Sequence, residues 1–302
     1  MNIRCGIDLG GTKIEIIALN ENDEQIYQKR IPTPQGNYQK TLNDIKDLVV
    51  ALEVTLNQSV SVGIGTPGAI SQKTGYLKNS NSTCLNGRAI LQDLEKLLSR
   101  QIRISNDANC FTLSEACDGA AKNASNVFGV IIGTGTGAGI VINQQILTGA
   151  NHISGEWGHN PLPWPSPSEM METQCYCGKQ GCIETFLSGP GLEADYTRHT
   201  QKKKNSKDIV IAAEKGDKEC DISMQRYEDR MARALAHVIN ILDPEIIVLG
   251  GGMSNVERLY KNLSQRCLAY VFSDQLLTKI IPAKFGDASG VRGAARLWPI
   301  SQ

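Results

Sequence analysis

The sequence predicts a mixed α/β chain organised in two lobes, and three observations lead there. A short apolar run, Ile3 to Ile7, stops at Asp8, and Gly10-Gly11-Thr12-Lys13 breaks the chain before an apolar pattern resumes over Ile14 to Leu19. The same unit of strand, glycine turn and strand returns about 125 residues later in Val127 to Ile132, Gly133-Thr134-Gly135-Thr136-Gly137 and Ala138 to Ile142. Each unit is followed by stretches with apolar residues at helical spacing, the mark of an alternating α/β chain. The lobes are expected at residues 1–118 and 119–302, with the C-terminal helix packing back onto the first.

The opening unit reads as a β-hairpin closed by a glycine turn, and Glu24 to Ile31 as a third antiparallel strand. Tyr38 to Leu56 sets Leu42, Ile45, Leu48, Val49 and Leu52 on one helical face. Ser61 to Ile64 is a strand entering the turn Gly65-Thr66-Pro67-Gly68. Ile102 to Ser105 is another, and it stops at Asn106-Asp107 before a helix over Ala108 to Cys117. In the second lobe, a long helix from Ile222 to Leu242 aligns Met231, Leu235, Val238, Ile239 and Leu242 on one stripe, and Asp243-Pro244 ends it. The buried strand Ile246 to Leu249 leads into Gly250-Gly251-Gly252 and a new helix, and Asp287 to Leu297 is a terminal helix of small residues. Pro161 to Thr173 holds four prolines and is a loop. Gln201 to Lys207 is a solvated polar tract, since it lacks the aromatic interleaving of a nucleic-acid surface.

Composition narrows the partners. Lys+Arg and Asp+Glu are both 31 of the 302 residues, so no charge excess favours nucleic acid or an anionic membrane. A small neutral or chelated ligand fits better. The longest uncharged stretch, Asn123 to Gly155, is interrupted by glycine and threonine, well short of the ~18 continuous apolar residues of a membrane span. The N-terminus has no apolar signal segment, so a cytoplasmic protein is expected. Nine cysteines is an odd number, and in a reducing compartment they are thiols or metal ligands.

Three glycine loops offer phosphate sites. In the first, Asp8 stands at a strand end beside Gly10 and Gly11, where backbone N–H groups approach phosphate oxygens, the acid holds hydrated Mg2+ and Thr12 or Lys13 adds a donor. Taken alone, a plain glycine hairpin reads equally well. Gly133, Thr134 and Gly135 form a possible second clamp, and Gly250, Gly251 and Gly252 a third at a strand-to-helix junction. Neither a P-loop nor a dinucleotide fingerprint is present. Cys175-x-Cys177-x4-Cys182 with His159 upstream supplies three thiolates and an imidazole, a set that fills a tetrahedral Zn2+ site and leaves no open position, hence structural zinc. A disulfide reading is weak because Cys175 and Cys177 are too close for a relaxed bridge. Asp107, after a short strand, can act as a general base, with a helix N-cap as its other reading. Glu156, His159 and Glu184 add polar groups tied to the cysteine loop.

With these pieces in order, the chain resembles the ROK family of sugar kinases, within the actin-like and hexokinase-like ATPases. The resemblance covers nearly the whole chain. It is carried by Asp8 to Lys13, Gly65 to Gly68, Asn106-Asp107-Ala108-Asn109, Gly133 to Gly135, Gly155-Glu156-Trp157-Gly158-His159, Cys175 to Glu184, and Asp243-Pro244 through Gly252. It implies a two-lobed kinase that closes on ATP, Mg2+ and a hexose and carries one structural Zn2+. By that resemblance Asp107 takes the proton of the sugar 6-hydroxyl, and Asn106, Asn81 and the turn beginning at Gly65 orient the ring. Glu156, His159 and Glu184 bind the other hydroxyls, His159 using one ring nitrogen for zinc and the other for sugar. Asn79 to Thr83, Leu85-Asn86-Gly87 and Asn160 to Trp164 look most like the bacterial fructokinase branch, which implies D-fructose, with mannose also accepted. N-acetylglucosamine kinase and glucokinase are the alternatives within the family, and a non-catalytic sugar sensor the alternative outside it. Cys84 and Ala89 depart from relatives in a loop that bears on the choice of sugar. The resemblance also implies a homodimer.

Overall fold

The apolar runs of the first half become a sheet whose parallel strands all end on the same edge, where several of the candidate residues lie. A computed structural model describes residues 3–80, 82–170 and 173–299, so Asn81 lies outside the described residues. In chain order the first elements are β1 (Arg4–Leu9), β2 (Lys13–Leu19), β3 (Gln25–Pro32), α1 (Tyr38–Leu56), β4 (Ser61–Thr66), the two-residue β5 (Ala69–Ile70) and β6 (Leu77–Lys78), α2 (Ile90–Leu98), β7 (Ile102–Asn106) and α3 (Asp107–Cys117). They are followed by β8 (Asn126–Ile132), β9 (Thr136–Ile142), β10 (Gln145–Ile146), α4 (Glu184–Leu187), α5 (Gly189–Thr200), α6 (Ser206–Glu214), α7 (Lys218–Leu242), β11 (Ile246–Gly250), α8 (Glu257–Leu268), β12 (Lys279–Pro282) and α9 (Ser289–Arg296).

Two compact units result. One comprises residues 1–122, 139–154 and 287–302, the other residues 123–138 and 155–286. A single cut after residue 118 therefore does not describe residues 139–154, which associate with the first unit. The sheet of the first unit is ordered β3-β2-β1-β4-β7. Its hairpin β1–β2 is antiparallel, whereas β1, β4 and β7 run parallel. Ile7, Leu9, Ile14, Ile16, Ile45, Leu52, Val62 and Ile64 are fully enclosed and form its core with α1. Helix α9 belongs to the same unit and lies against β1, β4 and α3. Its approach is backbone on backbone: a methyl group on Gly63 or Gly293 would collide with the carbonyls of Ala294 and Cys110.

The second sheet is ordered β10-β9-β8-β11-β12, with β8, β11 and β12 parallel, and the division between units falls within β9 after Ala138. Two expectations need correction. Helix α7 begins at Lys218 rather than Ile222, because Asp217 caps it by accepting from the Cys220 N–H. No α-helix follows Gly250-Gly251-Gly252 directly: residues Gly252–Asn255 make a 3-10 turn and α8 starts at Glu257. Gly251 has φ +79°, and the Ser254 hydroxyl bonds back to its carbonyl at 2.7 Å, a local turn that competes with helical pairing. The third glycine loop thus has no α-helix N-terminus behind it. Among the described residues, no helix is long and apolar enough to cross a membrane.

Candidate functional site

In the first unit the register of three parallel strands gathers the expected residues at their carboxyl ends, the edge where open α/β sheets present ligand-binding groups. Asp8 of β1 stands opposite Gly65 of β4, and Thr66 of β4 opposite Asn106 of β7. Asn106, not Asp107, is the N-cap of α3: its Oδ1 accepts from the Ala108 N–H at 2.8 Å while its Nδ2 donates to the Gly68 carbonyl at 3.2 Å. Asp107 follows as the first helical residue, and its Oδ1 shares the Ala108 N–H at 2.8 Å. That bond fixes the carboxyl group. Gly10 and Lys13 close the turn through Gly10 N–H to the Lys13 carbonyl at 3.0 Å, and Thr12 and Gly10 are braced by Thr33, the residue after β3. Lys13 leans back toward the buried Glu15 at 3.7 Å, which Arg30 also holds at 2.7 Å.

Asp8 and Asp107 are half-buried, and Asp8 feels the charge of Asp107. Burial first, and the Asp107 charge second, push Asp8 from 3.8 to about 6, against the pull of Lys13. Burial also raises Asp107, and the helix amides and Asn106 offset part of that rise. Two half-buried carboxyl groups raised in this way at one strand edge mark it as a candidate functional site. A stability consequence follows. The contribution of protonated Asp8 is complete below its unfolded value of 3.8 and is lost as pH rises through about 6. Asp8→Asn is therefore expected to melt higher than the parent at pH 7.5, by about 2–4 °C, and to converge with it near pH 4. Thermal unfolding at the two pH values checks this, and a lower melting point at pH 7.5 would refute it.

In the second unit the pairing of β8 with β11 sets Gly250 opposite Ile131, which brings Gly133-Thr134-Gly135 and Gly250-Gly251-Gly252 side by side. The approach is close: a methyl on Gly251 would strike the backbone of Ile132. The Gly133 loop is tied by its own Gly133 N–H to Gly135 carbonyl bond at 2.9 Å.

Trp157 anchors the turn that carries His159. Its ring is buried edge-on to Phe128 at 5.8 Å, and its Nε1–H reaches the Ala234 carbonyl at 3.3 Å. Glu156 is exposed ahead of that turn. Short bridges, Pro161 to Cys182 and Gln174 to Gln180, fold the cysteine loop against it. One donor atom from each of His159, Cys175, Cys177 and Cys182 then lies within 4.8 Å of the other three. Cys177 Sγ is 3.6 Å from Cys182 Sγ, and His159 Nδ1 is 3.6 Å from Cys175 Sγ. A tetrahedron with Zn–S bonds of ~2.3 Å has edges of ~3.7 Å, so the set fits zinc. The other imidazole nitrogen, Nε2, meets the Tyr176 hydroxyl at 2.9 Å.

Some participants escaped the sequence. Tyr176 sits between Cys175 and Cys177, and only that position hinted at a role. Thr136 and Gly189 bind the Gly133 loop to the chain after the cysteines. Behind the cysteine loop, Glu169 receives Arg230 at 2.7 Å and Arg233 at 2.9 Å. Its burial alone would raise it, but the two guanidinium groups hold it at about 2, and Arg233 also braces the carbonyls of Pro163 and Trp164. A cavity of about 370 Å3 opens between the cysteine loop and the Gly133 loop, its lining including Thr134, Thr173, Tyr176, Glu184, Ser188 and Arg198.

Comparison with known proteins gives the family and the fold. The profile of the ROK family matches residues 4–300. N-acetyl-D-glucosamine kinases from Yersinia pseudotuberculosis serotype O:1b (strain IP 31758) and Aliivibrio salmonicida (strain LFI1238) are each 38% identical over 296 residues, covering 97% of this chain and 97% and 98% of theirs. Among solved structures, a ROK hexokinase from Thermus thermophilus superposes with a TM-score of 0.86 at 26% identity, covering 97% of this chain and 96% of that one. A ROK glucokinase from Streptomyces griseus, in complex with glucose and AMPPNP, shares the fold with a TM-score of 0.76 at 23% identity, covering 98% and 99%.

Proposed function

This chain belongs to the ROK family, and from that premise we propose that it is a kinase transferring the γ-phosphoryl group of ATP to the 6-hydroxyl of N-acetyl-D-glucosamine. The observation that carries the sugar is the 38% identity to N-acetylglucosamine kinases, spread over 97% of this chain rather than confined to common motifs. A second reading, D-fructose, rests on the loop segments Asn79 to Thr83, Leu85 to Gly87 and Asn160 to Trp164.

Phosphoryl transfer asks for positioning, charge stabilisation and one base. Asp107 supplies the base. With Oδ1 held by the Ala108 amide, Oδ2 takes the proton as the 6-hydroxyl oxygen bonds to the γ-phosphorus and the bond to ADP breaks. Asp8 would hold the hydrated Mg2+ that neutralises phosphate charge. Gly10 to Lys13, Gly133 to Gly135 and Gly250 to Gly252 would offer backbone amides to the phosphates, apart from the Gly10 and Gly133 N–H groups, which close their own turns. Asn106 and the Gly65 turn hold the acceptor, and Glu156, His159 and Glu184 pair with sugar hydroxyls. Zinc on His159 Nδ1 and the three cysteines would lock the ring orientation, and Nε2, paired in this structure with the Tyr176 hydroxyl, would pass to the sugar when Tyr176 gives way to it.

A coupled ADP-release assay with Mg-ATP across N-acetylglucosamine, N-acetylmannosamine, glucose, mannose and fructose tests the proposal. The kcat/KM for N-acetylglucosamine is expected to exceed that for fructose by about tenfold or more. A reversed order gives the fructose reading the lead, and sugar binding without turnover of any sugar would point to a sensor.

A further inference from the structure

The cysteine loop and the Gly133 loop are joined through one side chain. Glu184 stands two residues after Cys182 and opens α4. Its Oε2 accepts from the Thr136 N–H at 2.9 Å, and a methyl on Gly135 would lie 2.7 Å from that same oxygen. The segment makes a second attachment where α5 begins, as the Gly189 N–H donates to the Gly133 carbonyl at 2.9 Å. Both ends of the glycine loop are therefore gripped by the chain that follows the cysteines. Thr136 itself is buried, and its hydroxyl has no hydrogen-bond partner among the described residues, so its side chain adds no further anchor.

Glycine-rich backbone is costly to hold in one conformation, and a carboxylate on a backbone amide is among the stronger neutral-pH restraints available. The Gly133 N–H is spent within the loop and the Thr136 N–H on Glu184, which leaves those of Thr134 and Gly135 available to an anion. We propose that Glu184, beyond pairing with sugar, is the positioning residue of the nucleotide phosphate loop, so that one metal-organised segment sets the geometry for both substrates. This rests on the reading of Gly133 to Gly135 as a phosphate loop.

The test is MgADP binding by titration calorimetry in the absence of sugar, on the zinc-loaded full chain. Glu184→Ala loses the acceptor and is expected to weaken MgADP about tenfold or more. Glu184→Gln keeps a carbonyl for the Thr136 N–H and is expected to stay within about threefold of the parent, although its sugar KM rises by about tenfold. MgADP affinity in Glu184→Ala within twofold of a parent that clearly binds would assign Glu184 to the sugar alone and overturn the proposal. Equal weakening in both variants, with matching losses of zinc and melting temperature, would also overturn it, as collapse of the region rather than loss of one restraint. A parent chain that binds no MgADP would instead remove the kinase reading itself.

Discussion

Asp107→Asn is expected to lower kcat about 10³-fold while leaving the affinities for sugar and MgADP within about threefold. The substitution is nearly isosteric and keeps the oxygen that accepts the Ala108 N–H, so α3 and the strand edge retain their geometry. What is lost is the capacity to take a proton. Because burial raises Asp107, its basic form appears only above the ordinary carboxylate range, and the kcat of the parent is expected to fall as pH drops through that region. The variant should show no such limb from this group. Removal of a half-buried carboxylate also relieves desolvation, so the variant should melt no lower than the parent at neutral pH. Coupled ADP release and calorimetry on the same preparation separate turnover from binding. Near-normal turnover in Asp107→Asn would strip the residue of the general-base role.

The sequence made local features legible and left tertiary ones hidden. The β1–β2 hairpin, α1 and the Asn106-Asp107 pair at a strand end follow from neighbours within a few residues, and the structure has each in place. Cys175, Cys177 and Cys182 are equally local, and their convergence with His159 needs only the short Pro161 to Cys182 bridge. Helix α5 was hidden because Gly189-Pro190-Gly191 reads as a breaker, although Pro190 falls in the first turn, where its missing N–H costs nothing. The polar tract at Gln201 conceals the end of α5 and the Asn205 cap of α6. Glu184 and Thr136 are 48 positions apart, Ser289 and Glu115 are 174 apart, and no periodicity announces such pairs. The glycines at 63 and 293 look unremarkable in a chain with 29 of them, yet they decide where α9 lies.

Cys177→Ser should remove zinc and, with it, most of the sugar affinity, raising the sugar KM by about 10–100-fold. Cys177 suits the experiment better than its partners because its side chain is exposed, whereas Cys175 and Cys182 are packed and their loss would disturb the loop by itself. The physical chain runs through one ring. His159 points Nδ1 at the sulfur cluster, so a metal there would fix the imidazole plane and place the ring proton on Nε2, the nitrogen that meets the Tyr176 hydroxyl in this structure. Without the metal, contacts of 3.6 Å link the sulfurs to one another and to His159, and the ring itself keeps the 2.9 Å bond from Nε2 to the Tyr176 hydroxyl, so its orientation is set less firmly. Buried Trp157 keeps the backbone of that turn in place, so the change should fall on ring orientation rather than on the fold. Metal content by mass spectrometry, sugar KM and the melting curve together read the three links. Zinc-free protein with an unchanged sugar KM would break the connection between the cysteine cluster and His159 as a sugar ligand. Retained zinc in the variant would show instead that Cys177 is not a required ligand.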